Sequence, residues 1–122
     1  MQMNRFVARP RRGFTLVELA VVVVIIGVLA AFGVPRFLQS VERSKAAEAF
    51  AYLSAVRTAQ ERYHAREGTY ADDLANLDIQ APTPKYFTVA APAAGSTGSI
   101  QDSWTQTLTR FGSSAGYGAY TV

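Results

Sequence analysis

The stretch RRGFTLVELAVVVVIIGVLAAFGVP, Arg11 to Pro35, decides the fold. Two arginines and a glycine lead into a long apolar run whose single charge is Glu18. At ~1.5 Å per residue, a helix from Phe14 to Pro35 is about 33 Å long. That matches a hydrocarbon core of about 30 Å. A secretory signal has a shorter apolar region, about 7–15 residues, and a small-x-small cleavage site after it. This run is longer, and no A-x-A precedes Pro35. The Arg11-Arg12 pair ahead of Phe14 also matches one element of a twin-arginine export signal. Length and flanks favour a retained span.

The charge is local. The 122 residues carry 12 basic and nine acidic side chains, a formal +3. Arg5, Arg9, Arg11 and Arg12 all precede Phe14, so eight basic residues remain against nine acids. A nucleic-acid binder spreads its positive charge over a folded face. Here the positive end reads as a topology signal, because cytoplasmic flanks of membrane helices are rich in Lys and Arg. Cysteine is absent, which excludes a disulfide or a thiolate metal site.

A plain single-span anchor accounts for the arginines and the Val/Ile/Leu content, but not for Glu18. An acid near the bilayer centre costs about 2.5–3.5 kcal/mol on insertion scales, so it is by default a functional candidate. Gly13-Phe14-Thr15-Leu16-Val17-Glu18-Leu19, with basic residues before it and an apolar helix after it, resembles the cleavage-and-methylation signature of type IV pilins and pseudopilins. The resemblance covers Arg12 to about Pro35. It implies that a prepilin peptidase cuts between Gly13 and Phe14 on the cytoplasmic side, and that the new amine of Phe14 is methylated. Residues 1–13 are then a removed leader, and 14–36 a transmembrane and filament-core helix.

In a filament the apolar helix stacks against identical helices, where an unpaired charge is costly and a paired one is specific. The family pairs this acid with the amine of a neighbouring subunit. Amine and acid four residues apart also share a helical face, so an intrachain pair is open in the free subunit. Glu18 reads as an assembly register residue. Gly27, Gly33 and Pro35 interrupt the run, since proline removes a helical hydrogen bond and glycine costs about 1 kcal/mol against alanine. They fall where pilins have a stretch that melts on packing, which implies a weak point. An ordinary kinked membrane helix is the alternative.

Beyond Pro35 the helix is expected to continue as an amphipathic half, 37–66. Phe37, Leu38, Val41, Ala46, Ala49, Phe50, Leu53, Val56 and Ala59 recur at three-to-four spacing. Glu42, Arg43, Lys45, Glu48, Arg57, Glu61 and Arg62 form the expected polar face, with Tyr52 and Tyr63 adding area to the seam. Residues 67–85 read as a connector. Gly68 is a natural helix stop and Asp72 to Leu77 one short helical turn, while Pro82 and Pro84 close the segment. Its GTYA start again resembles pilins.

Residues 86–122 carry the β-like runs: Tyr86–Ala90, Trp104–Phe111 and Tyr117–Val122. A short addition near Ser99-Ile100 makes a fourth strand. AAPAAGSTGS and GSSAGYG are turn material. In Trp104–Phe111 the Thr105, Thr107, Thr109, Phe111 face is Thr-rich and reads as wet. The fold class is α+β: a long N-terminal helix packed on a small antiparallel sheet of three to four strands.

No enzyme is expected. His64, the only histidine, reads as a surface residue at a helix end. Asp72, Asp73 and Asp78 lack EF-hand spacing and read as solvated loop acids and a helix cap, so no metal or cofactor is expected. No nucleophile-elbow, HExxH or P-loop pattern occurs. Within the resembled family, major secretion pseudopilins often carry a calcium site in an acidic C-terminal loop, whereas Asp102 is the only acid after Asp78. The chain is therefore most like a short, cysteine-free major pilin.

The resemblance implies a homopolymer served by a prepilin peptidase/methyltransferase and an inner-membrane assembly platform. It implies a single-pass inner-membrane protein before assembly and a surface pilus afterwards, supporting adhesion, twitching motility or DNA uptake. A type II secretion pseudopilin is the alternative, and a minor pilin acting as a binding module comes third. Nucleic-acid binding is not favoured, because only Lys85 and Arg110 are basic past the helix.

Overall fold

The computed structural model describes residues 12–112 and 117–122. Arg5, Arg9, Arg11 and most of the expected leader lie outside the described residues, as does the centre of the GSSAGYG loop. The elements run α1 (Leu16–Glu67), a 3-10 turn (Leu74–Asn76), β1 (Phe87–Val89), β2 (Ala93–Ala94), β3 (Trp104–Thr105) and β4 (Leu108–Arg110). The chain divides into two compact units at Arg36/Phe37.

In the first unit, α1 begins two residues after Phe14. Val, Ile and Leu fill this part, and every described residue up to Arg36 is exposed. Gly27, Gly33 and Pro35 all sit inside α1. Pro35 has no N–H to donate, so the carbonyl four residues back loses its helical partner. The helix is apolar and long enough to cross a membrane.

In the second unit, α1 buries Ala49, Tyr52, Val56 and Ala59 against Ala71, Leu77, Phe87 and Leu108. Their spacing of three, four and three puts them on one stripe. Gly68, at φ +74°, stops the helix with its N–H on the His64 carbonyl at 2.8 Å. Gln60 is fully buried and works as a piece of backbone. Its Nε2 donates to the Ala71 carbonyl at 2.9 Å, and its Oε1 accepts from the Ala71 N–H at 2.8 Å. That pair fastens the connector to the helix. The expected helical turn is present as the 3-10 turn, capped by Asp73, whose Oδ1 accepts from the Ala75 N–H at 2.9 Å.

The α+β class holds, but the sheet is divided. β1 pairs with β4 and β2 with β3, both antiparallel, as two separate two-stranded sheets. Val89 faces Leu108 while Ala93 faces Thr105, so the register slips by one residue between the ladders. The extra residue lies in Ala90–Pro92, and Pro92 cannot donate to a ladder. This splits the run expected as one strand from Trp104 to Phe111. Its Thr face is exposed as expected, and Leu108 and Arg110 point inward.

Two further expectations change. The fourth strand is at Ala93–Ala94, inside the segment read as loop, while Ser99 and Ile100 fall in a turned segment. Residues 117–122 form only a bridge, Thr109 to Thr121, although Leu108 and Val122 exchange backbone bonds at 2.9 Å.

Candidate functional site

Residues 12–15 precede the helix. Thr15 and Glu18 bond reciprocally: the Thr15 N–H donates to Glu18 Oε2 at 2.9 Å, and the Glu18 N–H donates to Thr15 Oγ1 at 3.1 Å. This is a capping box, Thr-x-x-Glu, which satisfies two donors that a helix start leaves open. The acid also meets the positive end of the helix dipole. Sequence reasoning assigned Glu18 to assembly and missed this local role, although the T-x-x-E spacing announces it.

Phe14 stands 81% exposed before the box, and a Cβ built on Gly13 meets nothing within 4 Å. Arg12, Gly13, Phe14, Thr15 and Glu18 line one open concavity. The Gly13–Phe14 peptide bond is therefore presented on non-helical backbone, with its carboxylate nearby. Gly27, Gly33 and Pro35 lie well away from this group, about two and a half to five turns beyond Glu18 along the helix.

A second polar centre lies in the second unit. Glu42, expected on the polar face of the helix, is instead buried. It takes Arg110 Nε on Oε1 at 2.7 Å and Nη2 on Oε2 at 3.4 Å. Tyr120 Oη donates to Oε1 at 3.0 Å, and Lys45 Nζ lies 3.4 Å from Oε2. Arg110 Nη1 donates to the Phe111 and Tyr86 carbonyls. The Arg110 hydrogen bond, with Tyr120 and Lys45, outweighs burial and holds the Glu42 carboxyl down to about 2. Reciprocally, Glu42 raises Arg110, while burial and Glu42 raise Tyr120.

The reason Glu42 turns inward is its phase. It precedes Ala49 and Val56 by seven and fourteen residues, which extends the buried stripe. Arg110 likewise sits two residues from Leu108 on the inner side of β4. Opposite charges at the inward positions of two facing elements were the signal available in the sequence. Arg110 is thus no part of an exposed basic patch.

The remaining candidates stay apart. His64 is half-buried and stacks on Tyr70 at 4.4 Å. Asp73 is the turn cap, and Asp78 lies 3.9 Å from Arg62 in an exposed pair. Among the described residues no group of three or more His, Cys, Asp or Glu side chains is placed to hold a metal ion.

A family model described as the prokaryotic N-terminal methylation motif matches residues 8–34. The chain is 46% identical over 72 residues to the type IV major pilin protein PilA of Myxococcus xanthus, covering 59% of this chain and 32% of that protein. It is 38% identical over 92 residues to the fimbrial protein EcpC of Eikenella corrodens, covering 74% and 60%. With the type IV major fimbrial protein FimA of Dichelobacter nodosus it shares 55% over 38 residues, covering 31% and 24%. The chain thus spans less than two thirds of the length of each of these relatives. No solved structure matches it significantly.

Proposed function

We propose that this chain is a member of the type IV pilin and pseudopilin family and the structural subunit, a major pilin, of a type IV pilus. The observation that carries the reading is the exposed Gly13–Phe14 bond beside the Thr15–Glu18 capping box, at the head of a helix whose first-unit part, through Arg36, is exposed throughout. A prepilin peptidase cuts that bond on the cytoplasmic side and methylates Phe14, and the apolar helix holds the subunit in the inner membrane. An assembly platform then lifts the helices out of lipid and stacks them.

Glu18 changes partner on the way. Its capping bonds satisfy it in the precursor, and the freed amine of a neighbouring Phe14 pairs with it in the filament, where low dielectric makes the pair strong. Gly27, Gly33 and Pro35 are the stretch that unwinds. The filament supports adhesion, twitching motility or DNA uptake. Relatives named as pilins and fimbrial proteins favour a surface pilus over a secretion pseudopilus.

The test combines mass and imaging. Co-produced with its peptidase, the chain should have an intact mass that begins at Phe14 with one methyl group. The Gly13→Val variant should keep its full length. Deleting the gene should remove surface fibres and leave exported enzymes unaffected. Fibres retained with enzymes trapped in the periplasm would mark a secretion pseudopilin instead.

A further inference from the structure

Three aromatic rings lie exposed around the first turns of the second unit's helix: Tyr86 at 41%, Phe111 at 50% and Tyr117 at 42%. Tyr86 and Phe111 are neighbours, because the Phe111 N–H donates to the Tyr86 carbonyl at 3.1 Å. Tyr86 shares a concavity with Val41, Lys45 and Lys85, and Tyr117 shares one with Gln39, Glu42 and Arg43. Helix positions 41–45 stand about 6 to 12 Å along the axis from Phe37, the unit's first residue. The interfacial layer on each side of a hydrocarbon core is about 5–8 Å deep, so the nearer of these positions fall within it.

The charge on this face is net positive, although Glu48 lines the same concavity as Lys45 and Lys85. Arg43 and Lys85 are exposed, whereas Glu42 is buried and saturated by Arg110, Tyr120 and Lys45. Glu48 is half-buried and accepts the Lys85 N–H at 3.3 Å. Lys45 Nζ lies 5.0 Å from the centre of the Tyr86 ring. Tyrosine and lysine together suit a lipid–water boundary, where amphipathic rings sit at headgroup level. The lysines separate this face from the core of a protein interface, where tyrosine is common but lysine is depleted.

We propose that this face rests on the headgroups of the membrane, with Tyr86, Phe111 and Tyr117 in the interfacial layer and Arg43 and Lys85 on anionic lipid. The inference rests on the reading that the apolar part of α1 spans that membrane. The face seats the free subunit before assembly and must leave lipid when the subunit is extracted. Trp104, the only tryptophan, serves as an internal control. It lines a groove with Phe50, Leu53 and Arg57, about 20–30 Å along the helix from Phe37.

The experiment places the full chain, dilute, in phosphatidylethanolamine/phosphatidylglycerol vesicles whose acyl chains carry bromine near the headgroup end. Emission is read from native Trp104 and from Tyr86→Trp and Phe111→Trp, each in a Trp104→Phe background checked for helix content. The expected result is a loss of emission at positions 86 and 111 and none at 104. Quenching at 86 and 111 no greater than at 104 overturns the proposal. So does shielding of those positions from aqueous iodide that disappears on further dilution of protein in lipid, which marks a second copy as the occupant. Release of the chain by an alkaline wash would overturn the membrane reading itself, a separate and distinguishable failure.

Discussion

Each of the two units keeps one acid on an apolar stripe, and the two are satisfied in opposite ways. Glu18 finds its partner three residues away, in the Thr15 backbone. Glu42 finds its partners 68 and 78 residues away, in Arg110 and Tyr120. The first arrangement is complete before any tertiary structure exists, so the acid remains available for a later partner. The second closes only when β4 and the C-terminal residues have docked, so it reports folding. A local acid can be exchanged between partners, whereas a non-local one holds an architecture.

The largest expected effect falls on Glu18. Glu18→Ala removes an insertion cost, so the variant should enter the membrane at least as well as the parent chain. On the proposed pairing it should build no filaments, because the amine of a neighbouring Phe14 would lose its counter-charge. Glu18→Gln sharpens the comparison, since it keeps an acceptor for the Thr15 N–H but carries no charge. Electron microscopy of assembled material should show filaments for neither variant. Normal filaments from Glu18→Gln would mean that capping geometry suffices, and that the charge has no part in assembly.

A second contrast concerns burial. Leu108 is fully buried between β1 and the C-terminal residues, so Leu108→Ala should destabilise the second unit by about 2–5 kcal/mol. Val24 in the first unit is 65% exposed, and Val24→Ala should leave the same transition within about 0.5 kcal/mol. The measurement is denaturant unfolding of the full chain in detergent, followed by Trp104 emission. Equal shifts from both variants would show that the two units unfold together, contrary to the division at Arg36/Phe37.

The same contrast explains what was legible beforehand. The N-terminal motif is readable because its chemistry is local: Gly13, Phe14 and Glu18 fall within six consecutive positions, and the family model matches across them. The helix follows from periodicity and its stop from Gly68, which the fold holds at φ +74°. The sheet was only half legible. A one-residue slip at Ala90–Pro92 cannot be read from alternation, since each strand alternates correctly on its own. Glu42 and Gln60 were misread or passed over because polarity was allowed to override phase. Both fall on the stripe of Ala49, Val56 and Ala59, and their partners lie beyond any local window.

The most diagnostic contrast, read as a change of slope with pH, concerns Glu42. Its folded-state carboxyl is lowered from 4.5 to about 2, first by the Arg110 hydrogen bond. A lowered folded value means that the unfolded chain binds the proton more readily. The stability it contributes is therefore present above about pH 4.5 and is lost as pH falls towards about 2. In Glu42→Gln the amide oxygen can still accept from Arg110 or Tyr120, which limits the loss at pH 7. It leaves the buried guanidinium without a counter-charge, so some loss remains.

Unfolding midpoints across pH 2 to 7 should thus fall more steeply in the parent chain than in Glu42→Gln, and the two curves should converge at the acid end. Arg110→Leu tests the other side of the pair. It should bring the Glu42 carboxyl back up and flatten the acid limb, because the largest lowering cause is gone while burial still raises it, and the folded and unfolded chains then bind the proton more alike. Parallel curves for parent and Glu42→Gln would show that the Glu42–Arg110 pair does not set the acid sensitivity of this unit. The non-local acid would then be a bystander, and the contrast with Glu18 would fail.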